Sequence, residues 1–265
     1  MRYPWAYHKD FVTREITISS HKITNPLNIL LVSDLHCTIF GKNQEILTNT
    51  VAIINPDVIL LAGDIIDAYE SIKGAELFLH GIKNIAPIYY VTGNHEYKSK
   101  NFGKLLQLLK ECNINILSDK FKRITIKNNS IIIAGIEDYS RYTRNNTKGL
   151  WIVNNVMNKI FKNFNKNDNF SIFMAHRPEL IDVYLKYDFD MVVSGHTHGG
   201  QMRLFNVLNG VIAPGQGFFP KYGGGLYEFP KTNLIISRGL SLLHPKLPRL
   251  FNPPEIVSIQ LTGPL

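Results

Sequence analysis

The chain has 265 residues, of which 45% are hydrophobic, and Lys plus Arg outnumber Asp plus Glu by 29 to 21, a formal net charge of +8. That apolar share supports a full core and excludes a disordered chain, while the lack of any stretch of eighteen apolar residues excludes a helical membrane span within the sequence. The basic excess favours an anionic, phosphate-bearing partner or peripheral contact with an anionic membrane, but no Lys/Arg block is long enough to indicate a specific nucleic-acid partner.

Taken in chain order, residues 1–24 read as a lead-in. Met1–Asp10 lacks the apolar core of a signal peptide, so the expected location is cytoplasmic or peripheral to a membrane. Alternation of Val12, Ile16 and Ile18 predicts an edge strand. An apolar run predicts a buried strand over 28–33 and releases Asp34-Leu35-His36. Ile46, Leu47, Val51 and Ile54 fall at helical spacing and predict a helix over 43–55, stopped by Pro56. A strand over 58–62 then leads into Gly63-Asp64, and a helix is predicted over 71–84. A strand over 88–92 releases Gly93-Asn94-His95-Glu96, followed by a helix over 102–112, a strand over 130–134 and a helix over 150–164. The run 171–174 releases Ala175-His176, and Pro178 opens a short helix over 178–186. The run 190–194 releases Gly195-His196-Thr197-His198.

After Gly199, glycine and proline are frequent and only short strand-like pieces remain, at 211–213, 234–237 and 256–260. Residues 199–265 therefore read as second-sheet strands and substrate loops, within a single α/β domain covering 1–265. The two cysteines, Cys37 and Cys112, have no zinc-type spacing and read as buried free thiols. Cys37 also stands one residue after His36, close enough to be a soft neighbour of that cluster.

Each polar cluster directly follows a predicted strand, and open α/β sheets bind ligands beyond the carboxyl ends of their strands. Asp34, His36, Asp64, Asn94, His176, His196 and His198 offer two carboxylates, one amide oxygen and four imidazoles. That is more than one ion needs, and it suits two divalent ions of the Mn, Zn, Fe or Mg type, with manganese favoured. On a regular strand Asp34 and His36, two residues apart, would point the same way. Asp64 is the candidate bridging carboxylate.

The ordered motifs Asp34-x-His36, Gly63-Asp64-x-x-Asp67, Gly93-Asn94-His95-Glu96, His176 and Gly195-His196-x-His198 resemble those of the calcineurin-like metallophosphoesterases. This resemblance implies two stacked mixed β-sheets flanked by helices. It also implies that one ion takes Asp34, His36, Asp64 and His198, and the other Asp64, Asn94, His176 and His196. Further likeness, in His176-Arg177-Pro178-Glu179, Gly199-Gly200-Gln201, Ser237-Arg238-Gly239-Leu240 and Pro253-Pro254-Glu255-Ile256, is to bacterial membrane-associated phosphodiesterases of the UDP-diacylglucosamine pyrophosphatase type, linked to lipid A biosynthesis. Members of that group often carry a membrane anchor ahead of a segment like Trp5–Ser19.

What the resemblance implies is hydrolysis of phosphodiester or pyrophosphate bonds, on lipid-linked or nucleotide-linked phosphates, by hydroxide generated between the two ions. His95 would face the substrate and protonate the leaving group, with Asp67 holding its other ring nitrogen, while Glu96 would be structural. The basic aromatic segment Tyr139–Trp151, with Arg141, Arg144 and Lys148, and the loop 215–225, with Lys221, are candidates for reading the substrate, and Arg238 is a further candidate; the alternative is ordinary surface packing. A cyclic-nucleotide or nucleic-acid phosphodiesterase could use the same cluster. An inactive metal-binding scaffold on this fold is the remaining alternative, against which stands the full set of seven ligand types.

Overall fold

Neighbouring residues of the central strands enter different cores, and this alternation generates the layers. Our structure, a computed structural model, describes residues 10–162, 164, 169–203, 208–242 and 249–264. The first half of the chain runs β1 (Val12–Ser19), β2 (Leu27–Val32), α1 (Glu45–Ile54), β3 (Val58–Ala62), α2 (Lys73–Ile82), β4 (Ile88–Val91), α3 (Phe102–Glu111) and β5 (Asn115–Ile116). The second runs β6 (Lys120–Ile126), β7 (Asn129–Gly135), α4 (Asn146–Phe161), β8 (Phe170–Met174), α5 (Ile181–Tyr184), β9 (Met191–Ser194), β10 (Ile212–Ala213), β11 (Gly217–Phe218), β12 (Gly225–Glu228), β13 (Asn233–Ile236) and β14 (Glu255–Thr262).

Among the described residues two six-stranded mixed sheets form, in the orders β1-β14-β2-β3-β4-β5 and β12-β13-β9-β8-β7-β6. In the first sheet β2, β3 and β4 run parallel and β14 lies antiparallel to β2. In the second, β7, β8, β9 and β13 run parallel, with antiparallel β6 and β12 at its edges. Leu27, Ile29 and Leu31 of β2 meet Ile172, Met174 and Val193 of the other sheet in one core. The intervening Leu30 and Val32 face away, onto Leu47, Val51, Phe78 and Leu105 of α1, α2 and α3. Phe173 and Val192 likewise face Val153 and Met157 of α4 and Tyr184 of α5. The result is a helix–sheet–sheet–helix sandwich, the α/β arrangement of stacked mixed sheets expected from the sequence. No helix among the described residues is long and apolar enough to cross a membrane.

Three local differences from the sequence reading have physical causes. Helix α4 starts at Asn146, four residues before the expected 150, because the Asn145 side chain accepts a hydrogen bond from the Lys148 amide at 3.0 Å and caps it. The single helix expected over 178–186 is a short α-turn, α5, between 3₁₀ turns at Pro178–Leu180 and Leu185–Tyr187. Strand β6 was not expected: Lys120, Lys122 and Arg123 interrupt its apolar pattern, and its residues are mostly exposed, as suits a charged sheet edge. The lead-in does supply an edge strand, β1, paired in parallel with β14. Residues 1–9 of the lead-in and 163 of the expected helix lie outside the described residues.

Both cysteines are free and buried. Cys37 packs in the core beneath α1 and α2, and burial pushes its thiol up to about 11. A neutral, covered thiol is a poor nucleophile. Native protein at pH 8 is expected to react with a thiol-specific disulfide reagent at far below one equivalent, rising to two only on unfolding; rapid native labelling would contradict the burial.

Candidate metal centre

The carboxyl ends of β2, β3 and β4 in one sheet and of β8 and β9 in the other meet at one edge of the sandwich, and each is followed within four residues by an acid, amide or imidazole. The chain does not continue as strand through these residues. Asp34, His36, Asp64, His196 and His198 all have positive φ, between 47° and 72°. Left-handed backbone at non-glycine residues costs on the order of 1 kcal/mol each, and such strain gathers at functional sites. Asp34 and His36 thus share a direction through two left-handed turns and not, as strand periodicity implied, through the pleat. Backbone bonds hold those turns: Asp34 N donates to Gly63 O, His36 N to Asp64 O, and Leu240 N to the carbonyls of Ser33 and Asp34. Two glycines make room. A Cβ on Gly195 would sit 2.4 Å from Asp34 Oδ2, and one on Gly93 would sit 2.2 Å from Asp64 Oδ1.

Within this edge the donor atoms of the described residues gather into three groups: Asp34, His36 and His198; Asp64, His176 and His196; and His36, Asp67 and His95. His36 Nε2 lies 4.0 Å from Asp34 Oδ1 and 3.6 Å from Asp64 Oδ2, and His198 Nε2 lies 3.6 Å from Asp34 Oδ1. On the other side His176 Nε2 lies 3.1 Å from Asp64 Oδ2 and 3.1 Å from His196 Nδ1. Donors bound at roughly 2.1 Å to one ion stand on the order of 3–3.5 Å apart; the two 3.1 Å spacings on the His176 side fall in that range, and those on the His36 side, at 3.6–4.0 Å, are slightly wider. Asn94 is bracketed by Gly93 and His95, both of which touch Asp64. Its Oδ1, like His36 Nε2, is buried with no hydrogen-bond partner among the described residues. Buried lone pairs left unpaired are costly, and a cation would satisfy both.

Charge in the cluster is distributed accordingly. Burial alone would raise Asp64, but His176 and His36 hold it well below the usual carboxylate range. Burial alone would lower His176, but Asp64 outweighs it and lifts the imidazole to about 10. Burial keeps His196 and His198 well below the usual histidine value, as neutral ligands must be. At pH 7 His176 therefore carries a proton where a cation would sit, and an ion binding there must expel it. Titration of the metal-stripped protein with Mn²⁺ in two buffers of different ionisation enthalpy is expected to reveal proton release; identical heats in both buffers would contradict a ligand role for His176.

The expected pair of His95 and Asp67 is present, with a third member. Asp67 Oδ2 lies 2.9 Å from His95 Nδ1 and also 3.0 Å from His36 Nδ1. One carboxylate oxygen thus orients two imidazoles, those of His36 and His95. Burial would raise Asp67, but its bonds to His36 and His95 hold it far below the usual range. Glu96 is a structural brace, as read from the sequence: its buried carboxylate accepts from the amides of Asp64, Ile65 and Gly93 at 3.0, 2.8 and 2.8 Å.

The basic candidates scatter. Arg141 pairs with Glu137 and lies over the Tyr142 ring, and Arg144 is exposed in the turn before α4. Lys221 is exposed beside Tyr222. Arg238 is largely covered and pairs with Glu255, next to Gly239, whose added Cβ would lie 2.5 Å from Asp34 Cβ. Sequence reasoning gave no role to the buried Arg177, which bonds Asp138 at 2.6 Å, lies over the Tyr139 ring and reaches His196 Nε2 at 3.2 Å. Its signal was its place directly after His176.

A family profile described as calcineurin-like phosphoesterase matches residues 27–200. A Campylobacter jejuni protein named as an uncharacterized metallophosphoesterase is 31% identical over 258 residues, covering 94% of this chain and 63% of that protein. A Bos taurus transmembrane protein with metallophosphoesterase domain is 27% identical, covering 80% of this chain and 47% of that one. The chain thus spans less than two thirds of the length of either relative. Among solved structures, the protein TT1561 of Thermus thermophilus superposes with a TM-score of 0.52 at 12% identity, covering 80% of this chain and 89% of that one, a likeness of fold.

Proposed function

The chain belongs to the calcineurin-like phosphoesterase family, and on that premise we propose that it is a hydrolase of phosphodiester or pyrophosphate bonds that works with two divalent ions, manganese first among them. The observation that carries this reading is the convergence of two carboxylates and four imidazoles at one edge of the sandwich, with His36 Nε2 and Asn94 Oδ1 buried there and without a hydrogen-bond partner among the described residues. Asp34, His36, Asp64 and His198 would hold one ion, and Asp64, Asn94, His176 and His196 the other. When bound, such ions neutralise phosphoryl oxygens and supply a hydroxide nucleophile at neutral pH. The chain's own residues do the rest. Asp64 draws both ligand sets together, His95 delivers a proton to the leaving oxygen, and Asp67 fixes the ring of His95 through Nδ1.

A lipid-linked phosphate of the UDP-diacylglucosamine kind is the substrate class we favour. Its support is the β10–β11 hairpin, where Phe218 and Phe219 are 72% and 70% exposed and Lys221 follows them. The same hairpin packs Gly215 against Glu179 behind His196. Exposed aromatics beside a basic residue suit the boundary of an anionic membrane. The test is turnover of bis-p-nitrophenyl phosphate after metal stripping and Mn²⁺ addition, followed by lipid-linked and nucleotide diphosphates. Absence of turnover with any divalent metal would favour a scaffold, and preference for soluble nucleotides would remove the lipid reading.

A further inference from the structure

We propose that Glu179 is the positioning residue that fixes His196 in its ligating form, by accepting the hydrogen on His196 Nε2 when the ion of the His176 side is bound. The inference rests on the dinuclear reading above and concerns a residue outside the ligand set.

The argument starts from which nitrogen of each ring is free. His176 Nδ1 lies 2.8 Å from the Ala62 carbonyl, which can only accept, so that nitrogen keeps its hydrogen and Nε2 is the one that offers a lone pair once an ion has expelled its proton. His176 Nε2 faces both Asp64 Oδ2 and His196 Nδ1 at 3.1 Å. The ligand atom of His196 toward the shared position is therefore Nδ1. A neutral imidazole that gives its Nδ1 lone pair to a cation must carry its hydrogen on Nε2.

Two groups face that Nε2. Arg177 Nη1 is 3.2 Å away, and Glu179 Oε1 is 3.8 Å away. Guanidinium has no acceptor, so it can meet only the other tautomer, in which Nε2 accepts. Of the two, only Glu179 can accept in the ligating tautomer, on closing its 3.8 Å separation to hydrogen-bond range. The carboxylate is placed for this and has capacity to spare: Oε2 is buried with no hydrogen-bond partner among the described residues. Arg177 Nη1 holds Oε1 at 3.3 Å, and Arg177 itself is anchored by Asp138 at 2.6 Å and Ser140 at 3.2 Å. Gly215 also closes on this oxygen, since a Cβ there would lie 2.3 Å from Oε1. Ligating histidines commonly give their second N–H to a carboxylate or carbonyl. Loss of that partner typically costs about 10–100-fold in metal affinity. Asp67 serves His36 and the Ala62 carbonyl serves His176; Glu179 completes the pattern for His196.

The test is equilibrium binding of Mn²⁺ alone to the metal-stripped full chain, by calorimetry and elemental analysis, for wild type, Glu179→Ala and Glu179→Gln. Wild type is expected to bind two ions. Glu179→Ala is expected to keep one at near wild-type affinity and to bind the second about 10–100-fold more weakly. Glu179→Gln keeps an acceptor oxygen and is expected to recover most of that loss. Melting curves in chelator exclude a folding defect as the cause. A long-range ¹H–¹⁵N spectrum of zinc-loaded wild type should place the hydrogen of His196 on Nε2. Two-ion binding unchanged in Glu179→Ala, equal weakening of both ions, or zinc on Nε2 would overturn the proposal. Wild type that binds no divalent ion would instead overturn the dinuclear reading beneath it.

Discussion

Replacing His95 with asparagine is expected to slow hydrolysis of an alkyl phosphodiester by roughly 10²–10⁴-fold, the range for loss of a positioned general acid. The loss should be smaller on a p-nitrophenyl ester, because nitrophenolate leaves without needing a proton. The proposed mechanism gives this task to His95, the most exposed imidazole of the cluster among the described residues. Its side chain is 28% exposed, against 4% for His36, 0% for His176, 4% for His196 and 15% for His198. His95 is fixed at two points, by its amide on Asp64 Oδ1 at 2.7 Å and by Nδ1 on Asp67 at 2.9 Å, neither of which uses Nε2, the atom that would donate in the proposed mechanism. Kinetics on the two esters, with metal content measured alongside, check it. Equal losses on both esters would remove the acid role. Asp67→Asn should cost more than His95→Asn, because the same oxygen also orients His36; if it left metal content and rate near those of His95→Asn, the shared-carboxylate account would be wrong.

Much of this architecture could be read from the sequence because its signals are local. The central strands are continuous apolar runs, buried on both faces, and each ends at a motif residue. Leu27–Val32 and Val58–Ala62 have almost no exposed position, so there was no polar alternation to obscure them. What stayed hidden was either edge or tertiary. Lys120–Ile126 pairs along one side only, so it needs no apolar pattern, and Gly225–Glu228 at the opposite edge is similar. The site followed the same division. The ligand types and their order are in the motifs, but the means of aiming them are not. The left-handed turns at Asp34, His36, Asp64, His196 and His198 depend on backbone bonds to distant loops, such as Leu240 to Ser33. Nor could spacing reveal that Asp67 serves two rings, or that Asp138, Arg177 and Glu179 gather behind His196; these residues meet only once β7, β8 and β9 lie side by side. The basic residues proposed to read substrate show the limit most clearly: Arg141 and Arg238 look alike in sequence, yet each is held by its own carboxylate, Glu137 and Glu255.

Replacing Asp64 with asparagine is expected to reduce bound metal from two ions to below one per chain, with loss of turnover following. Asp64 Oδ2 lies between the two ligand sets, 3.6 Å from His36 Nε2 and 3.1 Å from His176 Nε2, while Oδ1 is occupied by the His95 amide. An amide at this position removes the carboxylate common to both sets and can turn an N–H toward the imidazoles. The side chain is buried, so no water shell can substitute for the lost charge. Stability in chelator should also change, with a definite sign. In wild type, His176 is raised from 6.5 to about 10, so its contribution is complete below about 6.5 and is lost as pH rises through about 10. Asp64 is lowered from 3.8, so its contribution is present above that value and is lost as pH falls further. The melting-temperature gap between wild type and Asp64→Asn should therefore be widest between about pH 4 and 6.5 and narrow toward pH 10. With Mn²⁺ the gap should persist to high pH, because in wild type the cation takes over the proton's place between His176 and Asp64. Full metal occupancy in the variant would refute the bridging role. A gap that widened toward pH 10 in chelator would refute the ion pair that gives His176 its proton.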